Sequence, residues 1–159
     1  MRILIVGLGS IGERHLRNII SLGYKDIVVV TSRGFKKKNY KNVKFFKKLD
    51  QALSLRPKVA FICNITSKHV VTAIKCAKND CNLFIEKPLS HNLKNINLLL
   101  SILKKKKLYC YVGYMMRFHP LIIKIKNIID KKSLGELLYF KSHWGELVSD
   151  WHPKENYKR

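Results

Sequence analysis

Short β-branched runs alternate with helical patterns from residue 2 onward, and this alternation constrains the fold more than any other feature of the chain. Arg2 to Val6 is an apolar run ending in glycines, and Ile11 to Leu22 sets Ile11, His15, Ile19 and Leu22 close to one face of a helix. Gly23 closes that helix as its C-terminal glycine. Asp26 to Thr31 is continuous and β-branched, the pattern of a strand buried on both faces. Val43 to Phe46 reads as a short third strand, Leu49 to Leu55 as a brief helix stopped by Arg56-Pro57, and Lys58 to Cys63 as a fourth strand. Ser67 to Asn79 is helical, with Val70, Val71, Ile74 and Ala77 inward and Thr66 or Ser67 as its N-cap. The strand Asn82 to Ile85, the helix Leu93 to Lys106 and the strand Leu108 to Val112 complete the series. Strands joined through helices of this length require right-handed crossovers, and therefore a parallel sheet.

The pattern changes after Gly113. Phe118-His119-Pro120 opens an amphipathic helix to about Ile129, Lys132 to Gly135 makes a turn, and Glu136 to Trp144 alternates as a half-exposed antiparallel strand does. One helix and one strand cannot enclose a core. The expected organisation is a doubly wound α/β domain over residues 1–118, followed over residues 119–159 by the start of an incomplete, truncated α+β domain.

Gly7, Gly9 and Gly12 stand where the first strand turns into the first helix. Three glycines at that spacing permit a tight turn, close approach of backbone to a pyrophosphate, and close packing of helix on strand. The phosphates would rest on the N–H groups around Ser10 and Ile11, at the positive end of the helix. With four further strand–helix repeats behind it, the glycine loop marks a Rossmann-type domain that binds a nicotinamide dinucleotide. An acid usually ends the second strand where NAD is bound. Here the residues are Thr31, Ser32 and Arg33, and Asp26 is at the opposite end of the strand. Ser32 and Arg33 suit a 2′-phosphate, which favours NADP over NAD. A solvated loop beginning at Arg33 is the plainer reading.

The chain has 32 Lys and Arg against 10 Asp and Glu, a formal net charge of +22. Clustered cations bind nucleic acid by releasing counterions. These lysines are instead spread through turns and expected helix ends (Lys36-Lys37-Lys38, Lys47-Lys48, Lys104 to Lys107, Lys131-Lys132), where they complement helix dipoles. A solvated basic surface that helps recruit anionic ligands is the preferred reading over a nucleic-acid partner. Cys63, Cys76, Cys81 and Cys110 show neither a C-x-x-C pair nor zinc spacing, so no metal is expected. Cys63 and Cys110 fall in expected strands, as free cysteines in a reducing cytoplasm do. The apolar start is too short for a signal peptide, and no run approaches the roughly 18 residues of a membrane span.

Assembled, these residues resemble the Gfo/Idh/MocA (glucose–fructose oxidoreductase, inositol dehydrogenase, rhizopine catabolism) family. The segment from Gly7 to His15 is similar to the family's nucleotide loop, with a histidine following the last glycine. Asn64-Ile65-Thr66 with His69 resembles its segment beyond the fourth strand, and Glu86-Lys87-Pro88 is its signature tripeptide. Gly113-Tyr114 with Arg117-Phe118-His119-Pro120 resembles the passage into its second domain. The resemblance implies that Lys87 is the catalytic acid/base. The residues agree: Lys87 lies at the carboxyl end of the fifth strand, where it can donate to a substrate hydroxyl or carbonyl during hydride transfer. Desolvation and cationic neighbours would lower its pKa. Glu86 either orders the lysine or meets the nicotinamide side.

Asn64, Thr66, His69 and Arg117 join the glycine loop as cofactor contacts under this resemblance. A partly exposed, idle His69 on a first helical turn is the alternative. Tyr114 and Arg117 either meet substrate or support the crossover. Trp151-His152-Pro153 resembles a segment of members linked to sugar-nucleotide and surface-glycan synthesis. Family members are about twice this length, two domains being required.

The function expected is therefore an NAD(P)-dependent oxidoreductase acting on a sugar, sugar nucleotide or polyol, in surface-glycan or flagellin-glycan synthesis. It is expected to be an N-terminal part, of doubtful activity alone, acting as a homo-oligomer or with a complementing C-terminal chain. The alternative is a non-catalytic dinucleotide- or partner-binding module.

Overall fold

The computed structural model describes residues 1–32, 40 and 42–145. The chain divides into two units, Met1–Tyr114 and Met115–Arg159. In the first, β1 (Ile3–Val6), β2 (Ile27–Val30), β3 (Val43–Phe46), β4 (Val59–Ile62), β5 (Asn82–Ile85) and β6 (Cys110–Val112) form a six-stranded sheet. Its order is β3-β2-β1-β4-β5-β6, and every pairing is parallel. Strand order reverses between β1 and β4, so the crevice of a doubly wound sheet opens outside their carboxyl ends. The expected Rossmann-type fold is the one observed.

β1 and β2 are buried along their whole length, because helices cover both faces. Leu4, Val6, Val28, Val30, Ala60, Ile62, Leu83 and Ile85 face α2 (Leu49–Leu53), α3 (His69–Lys78) and α4 (Ile96–Lys106). Ile3, Ile5, Ile27 and Val29 meet α1 (Ser10–Ser21) through Leu16 and Ile19.

The buried faces of α1 and α3 differ in detail from the sequence reading. In α1 the buried line is Gly12, Leu16 and Ile19; His15 is on its flank, and Leu22 is exposed as the C-cap. Gly23, at φ +86°, reverses the chain there: its N–H binds Ile20 O and the Tyr24 N–H binds Ile19 O, so Leu22 is left outside the helix. In α3, Val70, Ala73, Ile74 and Ala77 are buried but Val71 is 53% exposed, one helical step off that face. Burying Val70 and Ile74 contributes about 2 kcal/mol each. Neither Thr66 nor Ser67 caps α3, because both belong to a 3₁₀ turn, Thr66–Lys68, that leads into it. Lysines occupy the last turns of two helices, Lys75 and Lys78 in α3 and Lys104, Lys105 and Lys106 in α4, but not those of α1, α2 or α5.

In the second unit a 3₁₀ turn, Met115–Phe118, precedes α5 (Pro120–Asp130). His119 caps α5 by accepting the Leu121 N–H at Nδ1, and Pro120 occupies the first turn, where its missing N–H costs nothing. The helix has no buried residue, and Leu121, Ile123 and Ile125 are exposed. Glu136 to Trp144, expected as a strand, forms none. A strand needs a partner for its backbone groups, and no described residue pairs with this one. Among the described residues, no helix is long and apolar enough to cross a membrane.

Candidate functional site

Four backbone hydrogen bonds just past the strand ends define one edge of the sheet. Gly7 N–H binds Val30 O at 2.9 Å, Cys63 N–H binds Val6 O at 2.8 Å, Glu86 N–H binds Ile62 O at 2.9 Å and Gly113 N–H binds Ile85 O at 2.8 Å. Parallel pairing therefore carries the glycine loop, the segment after β4 and the Glu86-Lys87 end of β5 to the same edge.

The three glycines of the loop have different work. Gly7 has φ +93°, and a Cβ there would stand 2.6 Å from Asn64 N and Cα and Cys63 O. A Cβ on Gly12 would stand 2.1 Å from Gly7 O. Both are closed by backbone, so only glycine lets α1 sit on β1 and β4. Gly9 is different: nothing lies within 4 Å of its Cβ position. Leu8, between them, is buried and anchors the loop in the α1-side core. Gly9 is the N-cap of α1, and among the described residues no side chain caps the helix, so the first N–H groups, of Ser10, Ile11 and Gly12, are left for another partner beside the open space at Gly9. A dinucleotide pyrophosphate requires uncapped amides with room above them, and this loop fits one. Ser10 is exposed and Ile11 half-buried.

Across the edge, Glu86 is held by a residue to which the sequence reading assigned no role. His15 Nε2 and Glu86 Oε1 are 2.6 Å apart, both side chains being largely buried. The imidazole packs against Phe61 and Phe84, at ring-centroid distances of 5.4 and 5.2 Å. Glu86 Oε2 accepts the Lys87 N–H at 3.2 Å. The carboxylate thus holds the lysine's backbone N–H. Gly113 makes room for it, since a Cβ there would come within 3.2 Å of Glu86 Oε2. Lys87 itself is exposed, so the described residues do not supply the desolvation expected of it.

His69 is neither partly exposed nor idle. It is 2% exposed, with Nδ1 2.9 Å from Pro88 O and Nε2 2.9 Å from Asn64 O. Carbonyls only accept, so a neutral ring donates to one of them and a protonated ring to both. Both nitrogens are directed at protein carbonyls, and His69 ties the segment after β4 to the end of the tripeptide. Asn64 donates from Nδ2 to Thr72 Oγ1 at 2.9 Å, while its buried Oδ1 has no partner among the described residues. Thr66 is half-buried in the 3₁₀ turn beside it.

Burial, and then the Glu86 carboxylate, push the Cys63 thiol up to about 12, which removes it as a nucleophile at neutral pH. Asp26 is at the far end of β2, paired with Arg2 at 2.9 Å, so no ribose-binding acid comes from it. Ser32 is exposed beyond β2, and Arg33 lies outside the described residues, as do Trp151, His152 and Pro153. Arg117 is exposed in the second unit. Among the described residues, no three His, Cys, Asp or Glu side chains gather to hold a metal ion.

Residues 1–114 match the model of an oxidoreductase family with an NAD-binding Rossmann fold, GFO_IDH_MocA. The chain is 27% identical over 144 residues to myo-inositol 2-dehydrogenase of Thermotoga maritima, covering 86% of this chain and 42% of that protein. It is 27% identical over 148 residues to scyllo-inositol 2-dehydrogenase (NAD(+)) of Bacillus subtilis, covering 89% and 43%. Among solved structures, scyllo-inositol dehydrogenase of Lactobacillus casei with bound NAD(H) and scyllo-inositol has a TM-score of 0.75 at 21% identity, over 85% of this chain and 42% of that one. The chain thus spans less than half the length of these relatives. The glycine loop, the Glu-Lys-Pro tripeptide on the same sheet edge and the family match agree, and the chain belongs to the Gfo/Idh/MocA oxidoreductase family.

Proposed function

We propose that this chain binds a nicotinamide dinucleotide along the carboxyl edge of its sheet and provides the acid/base lysine for oxidation or reduction of a polyol or sugar. One observation carries the reading: the uncapped N-terminus of α1 and the Glu86-Lys87 end of β5 share one edge. The bound dinucleotide would supply the hydride donor or acceptor.

The chain's own residues divide the remaining tasks. N–H groups of Ser10, Ile11 and Gly12 hold the pyrophosphate, and Gly7 and Gly9 let it approach. Asn64 and Thr66 flank it beyond β4. Glu86 orders the Lys87 backbone, and Lys87 Nζ gives or takes the proton of the reacting oxygen. Ser32 and Arg33 favour NADP through charge-assisted bonds to a 2′-phosphate. Residues from Met115 onward, Arg117 included, begin the domain that meets substrate in the whole protein. The inositol dehydrogenases among the relatives support a cyclic polyol over a sugar nucleotide as substrate class.

Titration of the chain with NADH and NADPH, followed by turnover assays with myo- and scyllo-inositol, tests this reading. Saturable binding of either coenzyme is expected, and a folded chain that binds neither refutes it. A second reading, a dinucleotide-binding module without catalysis, is favoured by the exposure of Lys87. Binding without turnover on any polyol selects it.

A further inference from the structure

The Glu86 carboxylate sits between two groups that fix it. On one side is the imidazole of His15, 71 residues earlier in the chain and 2.6 Å away. On the other is the Lys87 N–H, 3.2 Å from the second carboxylate oxygen. His15 belongs to α1, the helix whose N-terminus is the pyrophosphate end of the site, and Glu86 follows β5, which carries the catalytic end. A carboxylate exchanging bonds with an imidazole and a backbone N–H is strongly oriented, since hydrogen bonds to ionised groups are about twice as strong as neutral ones. The imidazole is oriented in turn. Phe61 and Phe84 lie against it, and their rings are 5.1 Å apart. Gly113 lies close by, where a Cβ would come within 3.2–3.3 Å of the carboxylate.

We propose that His15 is a positioning residue: it clamps the Glu86 carboxylate and so fixes the Lys87 backbone relative to the helix that carries the pyrophosphate. His15 itself touches neither reacting atoms nor phosphate. It makes the two halves of the site one rigid frame, across which a dinucleotide is gripped at both ends. The proposal rests on the dinucleotide reading given above, and its test separates the two.

The experiment compares NADH with ADP, which lacks the nicotinamide end, by calorimetry on the wild-type chain and on His15→Leu, His15→Gln and Gly113→Ala, with thermal melts alongside. In His15→Leu the NADH Kd should rise about tenfold, some 1.4 kcal/mol, while the ADP Kd stays within about twofold because α1 is intact. His15→Gln, which keeps an N–H donor on that side chain, should recover most of the NADH affinity. Gly113→Ala crowds the same carboxylate without touching His15 and should show the same NADH-selective loss, which keeps the test decisive if His15→Leu does not fold. Equal loss of NADH and ADP would mean that His15 merely supports α1, and unchanged NADH binding that it positions nothing. Either overturns the proposal, as does a glutamine variant no better than leucine. A folded wild-type chain that binds neither ligand instead refutes the dinucleotide reading, and this proposal with it.

Discussion

Gly9→Ala separates folding from binding within a single loop. Gly9 has φ −78° with an extended backbone, so alanine brings no strain, and its methyl meets no atom within 4 Å. Two small effects oppose each other: alanine is a poorer N-cap than glycine by up to about 1 kcal/mol, and it restricts the unfolded chain by about 0.4–1 kcal/mol. The melting temperature should therefore stay within a few degrees of wild type. The open space at Gly9 is where the pyrophosphate must come closest to the backbone, and a methyl there holds it off the amides. Losing even one charge-assisted hydrogen bond, about 1.5–3 kcal/mol, weakens coenzyme binding by about tenfold or more. Gly12→Ala is the contrast: its Cβ would lie 2.1 Å from Gly7 O, where only backbone can yield. Overpacking of that kind costs about 1–3 kcal/mol or more and should lower the denaturation midpoint. Calorimetry with NADH and a urea melt on both variants give the answer. If Gly9→Ala binds NADH as wild type does, or loses stability as Gly12→Ala does, the assignment of the loop is wrong.

Further predictions follow from the same geometry. Lys87→Met should leave NADH affinity within about threefold, yet lower turnover of a polyol by about a hundredfold or more, the usual contribution of a general acid/base; undiminished turnover removes Lys87 from catalysis. His69→Phe removes the ring donor from between the carbonyls of Asn64 and Pro88 in a buried site, and should cost about 1–3 kcal/mol in urea denaturation; an unchanged midpoint would show that the buried ring bears no weight. Burial raises the thiols of Cys63, to about 12, and Cys81, to about 11, against 9.0 for a free thiol. The unfolded chain therefore ionises them first, so their contribution to stability is complete below pH 9 and declines as pH rises through the folded values. Native-state alkylation at pH 8 should accordingly be slow at both residues, and rapid labelling would contradict the burial.

The sheet was legible because β-branched runs leave little choice: β3 and β5 have the bounds read from sequence, Val43–Phe46 and Asn82–Ile85. Gly7, Gly9 and Gly12 were legible as a loop, but their different roles depend on what surrounds each Cβ, which no spacing reveals. Val71 was misplaced because apolarity alone cannot tell the rim of a helix from its buried face. The apolar pattern extends α4 back to Leu93, yet Leu93 is 86% exposed and the helix starts at Ile96, after Asn95 in the left-handed region. His15 was seen in the motif without a role, since its partner is 71 residues away and only parallel pairing brings them together. A polar residue beside the buried line of α1 was the one available signal. The strand expected from Glu136 to Trp144 shows the opposite limit, for alternation supplies a strand's faces but not its partner.

Amide chemical shifts of the ¹⁵N-labelled chain, followed as NADH is added, test the central claim most directly. The largest changes are expected at Gly9, Ser10, Ile11 and Gly12, with others at Asn64 and at Glu86 and Lys87. Shifts confined to the opposite end of the sheet, around Lys58 and Lys78, or none in a folded chain, would contradict it.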